Sequence, residues 1–243
     1  MDYQVLKPAT PQEMLAWDDA FLDAAEQGDG TEQLWFWESS QPFVVVGYGQ
    51  SLDREVNLDA CSLAGIPVFR RCSGGGAVVQ GPGCLCYGLI LRIDASGPNA
   101  TIASTNAHVM ERHREAIASL VTETVVIRGH TDLAIQTPEG ELKFSGNAQR
   151  RRRSFLLFHG TLLLDFDLSL IEHCLRFPSL APEYRAGRSH GSFVVNLRIP
   201  SARIIQAICN AWGATQVASN RPLDAMKSML NARYSNPDWH SKR

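Results

Sequence analysis

Apolar residues recur along this chain at two different periods, and the alternation between them predicts a mixed architecture. Met14, Trp17, Phe21 and Ala25 stand at helical spacing behind Thr10-Pro11-Gln12-Glu13, a helix-start box with proline at the first helical position. Gly28 and Gly30 close this helix, whose aromatic residues read as core. Ile102, Asn106, Val109, Met110, His113, Ile117 and Leu120 form the stripe of a longer helix, which puts His113 on the apolar face as a core histidine. Ser201 is placed to cap a third helix carrying Ile204, Ile205, Ile208 and Trp212. Shorter helices are expected over residues 55–64, stopped by Gly65, and from Asp167 through Leu175.

Between these stripes lie short apolar runs bounded by Gly, Pro, Ser and Asn, the pattern of strands. They are Leu34-Trp35-Phe36-Trp37, Phe43-Val44-Val45-Val46, Ile66-Pro67-Val68-Phe69, residues 84–91, 124–128 and 133–136, Glu141-Leu142-Lys143-Phe144, and residues 155–164. Thr137-Pro138-Glu139-Gly140 has proline and glycine at their type I turn positions and predicts a hairpin. Ser145-Gly146-Asn147-Ala148-Gln149 then reads as a small-residue bend, and Arg150-Arg151-Arg152-Arg153 as a solvated loop. Residues 178–191 read as an irregular surface loop, and residues 214–243 as a weakly patterned C-terminal extension. No repeat or linker interrupts the chain. The expected class is α+β, with mixed, largely antiparallel sheets flanked by helices, in a single domain spanning residues 1–243.

Bulk properties narrow the function classes. With 44% hydrophobic and 20% charged residues the chain is able to bury a globular core. A net charge of −2 gives no global reason to expect nucleic-acid binding. No apolar stretch approaches the roughly 20 residues of a membrane span, and Met1-Asp2-Tyr3-Gln4 lacks the start of a signal peptide, so a cytoplasmic protein is expected. The six cysteines form no Cys-x-x-Cys pair and read as reduced, buried thiols. Of 23 basic residues only four are lysines, and Lys143 stands alone between Lys7 and Lys227. In a chain that otherwise uses arginine, that isolation suggests a need for an ammonium point charge.

The candidate chemistry centres on Arg70-Arg71-Cys72-Ser73-Gly74-Gly75-Gly76-Ala77-Val78-Val79. Three consecutive glycines are expected where backbone must approach a ligand, and free amides beside guanidinium groups form a receptor for phosphate or carboxylate. An ordinary glycine-rich hairpin turn is the other reading they allow. Lys143 leads into the second small-residue stretch, and His159-Gly160-Thr161 interrupts a buried strand with polar groups that need partners or a ligand. No Walker pattern, Ser-His-Asp signature or zinc-type spacing occurs. Residue chemistry alone implies an anionic small molecule.

Four stretches carry a resemblance. Arg70-Arg71-x-Ser73-Gly74-Gly75-Gly76-Ala77-Val78, Asp132-Leu133, Lys143-x-Ser145-Gly146-x-Ala148 and His159-Gly160-Thr161-Leu162-Leu163 resemble, in order and spacing, the lipoate–protein ligase A family. That family belongs to the biotin/lipoate protein ligase and octanoyltransferase superfamily. The resemblance runs from about residue 14 to residue 212 and implies the superfamily's catalytic-domain fold, with a bifurcated pocket for an acyl-adenylate. It implies an enzyme that uses ATP and Mg2+ to form lipoyl-AMP from lipoate, or takes preformed lipoyl-AMP. The lipoyl group would pass to a lysine of an apo-lipoyl domain or glycine-cleavage H protein.

The resemblance implies Lys143 as the catalytic cation, and Arg70 with Gly74, Gly75 and Gly76 as holders of phosphate. Ser73, Ala77, Val78, Ser145, Gly146, Ala148, His159, Gly160 and Thr161 would line the site. Asp132 would orient Mg2+ or the incoming lysine, and Val44, Val78 and Leu162 would wall the acyl chain. Three positions depart from the family pattern: Thr131 stands where asparagine is usual, Gln80-Gly81 where His-Asp is usual, and Cys84 where asparagine or threonine is common. These put nucleotide or acyl specificity in question. The family's accessory C-terminal domain has no counterpart here, which implies a separate subunit or a preformed acyl donor. The rival within the superfamily, octanoyl transfer from an acyl-carrier thioester, needs a reactive cysteine. Residues 125–131 and 177–196, where that cysteine would stand, contain none. Biotin ligation fits less well, and a non-catalytic lipoyl-domain-binding homologue is the reading from a different class.

Overall fold

The computed structural model describes residues 1–28, 30–138, 140–218 and 221–242. Its strands are β1 (Asp2–Val5), β2 (Gln33–Glu38), β3 (Phe43–Val46), β4 (Val68–Arg70), β5 (Val78–Gln80), β6 (Cys84–Arg92), β7 (Val125–Arg128), β8 (Asp132–Thr137), β9 (Gly140–Arg151), β10 (Phe155–Leu163) and β11 (Gln216–Val217). Its helices are α1 (Pro11–Gln27), α2 (Leu52–Glu55), α3 (Leu58–Leu63), α4 (Ile102–Ala118), α5 (Ser169–Cys174), α6 (Ser201–Ala211), α7 (Leu223–Met229) and α8 (Pro237–Ser241). An eight-stranded sheet runs in the order β11-β1-β2-β6-β10-β9-β8-β7, and a three-stranded sheet in the order β4-β3-β5. The α+β class stands: β1 pairs parallel with β2 and β11, and β3 with β4, while the other strand pairs among the described residues are antiparallel.

Alternation along the central strands decides what each face of the large sheet covers. Trp35, Trp37, Cys86, Ile90 and Leu157 point to one side and join Met14, Phe21 and Leu22 of α1 and Val44 and Val45 of the small sheet in one apolar cluster. Leu34, Phe36, Leu89, Leu156, Phe158 and Leu162 point to the other, against Val109 and Ile117 of α4 and Ile204 and Ile208 of α6. α1 starts as its sequence predicts: Glu13 N donates to Thr10 Oγ1 at 3.2 Å. His113 is core, accepting at Nε2 from Trp212 Nε1 at 2.9 Å, and burial pushes its pKa down to about 3.

Several local expectations change. The glycines link β4 to β5, which both pair with β3 in the small sheet, whereas the apolar run at residues 84–91, β6, lies in the large one. Residues 145–149 are not a bend but the middle of the long strand β9, paired on β10 from Ser145↔Leu162 to Arg151↔Leu156. Their small side chains serve close neighbours, not chain reversal. The arginine run is no solvated loop either, since Arg150 and Arg152 reach Asp19 of α1 at 3.4 and 3.8 Å. Helix 55–64 is two short helices, α2 and α3, and Ser201 begins α6 without capping it. In the predicted turn after β8, Glu139 lies outside the described residues, while Thr137 pairs with Gly140. Among the described residues no helix is long and apolar enough to cross a membrane.

Candidate active site

Between the large sheet, α1 and the small sheet lies a small cavity of about 130 Å³, and beside it a larger groove of about 890 Å³. They share Gly76, Ala77, Val78, Asp132, Lys143, Gly146, Asn147 and Thr161 as walls, so the two spaces meet at Lys143. Beyond the junction the cavity is walled by Leu15, Trp37, Val45 and Tyr87, with Asp18, Gln80, Cys86 and His159 as polar or thiol groups. The groove runs under residues 176–185 and 190–194. The predicted surface loop is thus one wall of the site.

Local backbone explains how Lys143 comes to stand at the junction. Leu133 pairs with Ser145 but Ala134 with Lys143, so Phe144 is an extra residue in β9. Such a bulge re-aims neighbouring side chains; Phe144 is fully buried. Lys143 Nζ meets Asp132 Oδ1 at 2.8 Å, and Tyr184 donates its hydroxyl to Asp132 Oδ2 at 2.8 Å. Burial and the neighbouring carboxylate push the Tyr184 phenol well above its ordinary range, so it stays a donor. Gly146 leaves the space the ammonium fills, since a Cβ there would stand 3.0 Å from Lys143 Nζ. Gly160 is held to glycine more strictly, because a Cβ would stand 1.6 Å from Asn147 Oδ1. That amide oxygen accepts from Tyr87 Oη at 2.6 Å, and Asn147 Nδ2 donates to Thr131 O at 2.6 Å.

A buried chain of polar groups closes the cavity's inner wall. His159 Nδ1 lies 2.6 Å from Asp18 Oδ2 and His159 Nε2 lies 2.5 Å from Ser73 Oγ. A carboxylate only accepts, so Nδ1 carries a proton, and Nε2 is left to the Ser73 hydroxyl. Ser73 Oγ in turn accepts from Arg71 Nε at 3.0 Å, and Arg71 Nη2 donates to Gly76 O at 2.9 Å. Desolvation lowers the Arg71 pKa to about 10, which leaves it charged at neutral pH, and its charge and that of Asp18 bracket the chain. Serine, histidine and aspartate do therefore meet in space, but Ser73 is 1% exposed and lines neither space among the described residues. It is a relay in a wall, not an accessible nucleophile.

Of the residues singled out from sequence, Gly76, Ala77, Val78, Asp132, Lys143, Gly146, Ala148, His159, Gly160 and Thr161 line the cavity, while Gly75 and Ser145 line the groove. Ser73 is buried behind these walls, and Gly74 is exposed and lines neither space. Arg70 departs most from expectation. It is fully buried, with Nη1 donating to the carbonyls of Gly47, Tyr48 and Gln50 at 2.9, 3.1 and 2.8 Å, so its guanidinium is turned away from the site. Val45 replaces Val44 in the cavity wall, and Leu162 faces the opposite side of the sheet. Asp18, Trp37, Arg71 and Gln80 were not singled out as lining residues. Asp18 had a signal in the sequence, an acid four residues after Met14 on the apolar stripe of the first helix.

Residues 10–209 match the family described as the lipoyl protein ligase A/B catalytic domain. The chain belongs to that family. A probable lipoate-protein ligase A of Mycoplasma pneumoniae is 31% identical over 185 residues, covering 75% of this chain and 51% of that protein. The chain thus spans about half the length of the curated relatives it matches. Among solved structures, a bi-partite lipoate protein ligase of Thermoplasma acidophilum, described with its E2 lipoyl domain, superposes with TM-score 0.81 at 22% identity, covering 100% of this chain and 97% of that one. A lipoate-protein ligase A bound with ATP gives TM-score 0.78 at 21% identity over 98% of each chain. These likenesses establish the ligase fold.

Metal and thiol chemistry can be tested against the donor set. Among the described residues Asp132 is the only acid shared by cavity and groove, and no group of three or more His, Cys, Asp or Glu is placed to hold a metal. One carboxylate beside an ammonium suits a magnesium ion that arrives on nucleotide phosphates, not a cage built by protein. Cys86 lines the cavity, but burial holds its thiol well above the ordinary range. Cys72 is pushed up to about 12 for the same reason. Neither offers the thiolate that acyl transfer through cysteine requires.

Proposed function

We propose that this protein attaches lipoate to a specific lysine of an acceptor protein through lipoyl-AMP, acting in the cytoplasm. One observation carries the reading: Lys143, held by Asp132 at 2.8 Å, stands where a small cavity with both apolar and polar walls meets a much larger groove. An acyl chain in the cavity gains about 0.8 kcal/mol per buried methylene and presents its carboxylate to the ammonium. ATP would enter from the groove, the role for which the fold's likeness to an ATP-bound ligase gives support. The lipoate oxygen attacks the α-phosphorus, the bond to pyrophosphate breaks, and lipoyl-AMP forms. The acceptor amine then attacks the acyl carbon and loses a proton, AMP leaves, and an amide remains.

Lys143 is suited to both steps, since a point charge on a flexible stem follows the negative charge from carboxylate to phosphate to tetrahedral oxyanion. Asp132 keeps that ammonium aimed and would receive the incoming amine. The backbone of Gly76, Ala77 and Val78 would cover the phosphate, with Arg71 adding positive charge from behind in place of Arg70. Magnesium bound to ATP, with Asp132 as its one protein oxygen, would offset the phosphate charge. The acceptor would be an apo-lipoyl domain, as accompanies the Thermoplasma acidophilum ligase, or a glycine-cleavage H protein. A second polypeptide would assist activation if adenylation is slow in this chain alone.

The test offers apo-lipoyl domain three donors: lipoate with ATP and Mg2+, synthetic lipoyl-AMP, or an octanoyl-carrier thioester. The acceptor's intact mass should rise by a lipoyl group with lipoyl-AMP and with lipoate plus ATP. Modification from the thioester alone would establish octanoyl transfer instead. No modification from any donor would leave a binding protein without catalysis.

A further inference from the structure

The Gly-rich loop is held from behind by a segment that follows the family match. α7, a π-helical turn (Leu230–Tyr234) and α8 all lie beyond residue 209, where that match ends. Their last residues converge on Arg70. Trp239 Nε1 donates to Arg70 O at 2.9 Å, Arg70 N donates to His240 Nδ1 at 3.0 Å, and Arg70 Nε donates to His240 O at 3.3 Å. Arg70 Nη2 donates to Lys242 O. His240 Nε2 is 2.9 Å from Tyr234 O, so the ring is the neutral tautomer with its proton on Nε2.

From Arg70 the contacts continue to the site. Its Nη1 gathers the carbonyls of Gly47, Tyr48 and Gln50. That turn seizes the glycine loop: Tyr48 N donates to Ser73 O at 2.8 Å, and a Cβ on Gly47 would stand 2.1 Å from Gly75 O. The same segment grips the opposite wall of the cavity. Arg233 binds Asp19, to which Tyr234 also donates its hydroxyl at 3.4 Å, and Asp19 adjoins Asp18, the partner of His159. A guanidinium is a rigid fork of donors, and here it is spent on backbone carbonyls from two distant segments. Such a device fixes geometry.

We infer that residues 222–242 form a clasp that sets the shape of the Gly-rich loop, with His240 as its positioning residue. The acyl-adenylate reading enters only in what the loop would bind; the clasp follows from the contacts themselves. His240→Ala removes the acceptor for Arg70 N, whereas His240→Asn places an amide oxygen near the position of Nδ1. Hydrogen exchange should quicken by about tenfold in His240→Ala at Tyr48 and Arg71, whose amides donate to Ser73 O and Val46 O, and stay unchanged across β7 and β8. Asparagine should restore it. Calorimetric Kd values for lipoate and for ATP should rise about tenfold in the alanine variant and recover in the asparagine one. Unaltered exchange at Tyr48 and Arg71 in a folded alanine variant, or an equal rise throughout the sheet, overturns the clasp. A wild-type protein that binds neither lipoate nor ATP would sink the acyl-adenylate reading, and exchange would still decide the clasp. Should His240→Ala fail to fold, Trp239→Phe deletes the bond to Arg70 O and trims the ring that packs on Tyr48 and Tyr234, loosening the same clasp; normal exchange at Tyr48 and Arg71 in that variant overturns the inference.

Discussion

At the scale of single residues, the site turns on where one ammonium stands. Lys143 is the lone lysine of the mid-chain, and the bulge at Phe144 together with the absent side chain of Gly146 gives it its place beside Asp132. Replacing it with alanine leaves Asp132 its bond from Tyr184 and an outlet to solvent, so no buried charge is stranded. Lys143→Ala should therefore keep a wild-type melting curve while transfer to the acceptor falls by about a hundredfold or more, the usual loss when a stabiliser of developing negative charge is removed. Intact mass of the acceptor over time measures it. A fully active variant would remove Lys143 from the mechanism. Arg70 shows the converse: its position in the motif was evident, but the direction of its side chain was not.

Among elements, β9 and β10 form the site's floor, and their small residues mark where side chains must cross. Gly160 lies opposite Asn147, whose side chain spans the strand pair to reach Tyr87 and Thr131. A methyl at Gly160 would occupy the position of the Asn147 amide oxygen. Gly160→Ala should cost about 3 kcal/mol, an overpacking penalty joined to the loss of buried hydrogen bonds, and lower the Tm by about 6–12 °C. Scanning calorimetry measures the shift, and an unchanged Tm would mean that Asn147 has another place to go. This element also shows why sequence misplaced a bend. Ser145-Gly146-Asn147-Ala148 has turn composition, yet those residues are small because Lys143, His159 and a ligand cavity crowd one strand.

For the whole molecule, acid sensitivity should follow from the helix layer opposite the site. His113 is neutral in the native protein because burial lowers its pKa to about 3 from an ordinary 6.5. Between those values the unfolded chain binds a proton that the native chain does not, so stability rises with pH across that window. The contribution is complete above about pH 6.5 and is lost on acidification by about 1.4 kcal/mol per unit, or about 3 kcal/mol by pH 4.5. Urea midpoints at pH 7 and pH 4.5 should fall less for His113→Gln than for the wild type. An identical fall in both would place the acid-sensitive group elsewhere.

Periodicity sufficed for the two-period alternation of strands and helices, the helices on residues 11–27 and 102–118, and the burial of His113, because these follow from local patterns of apolar residues. Motif spacing likewise pointed to Lys143, Asp132, His159 and Thr161, all of which the fold brings to one cavity. Tertiary structure alone decided the rest. Cavity walls such as Asp18 and Trp37 come from segments separated by a hundred residues or more from His159, and no local period encodes that meeting. The direction of Arg70 depended on carbonyls at residues 47–50 and 240–242, and the weakly patterned C-terminus became structure only by packing on α1 and β4. Local pattern fixes which face of an element is buried; only the assembled chain fixes what that face meets.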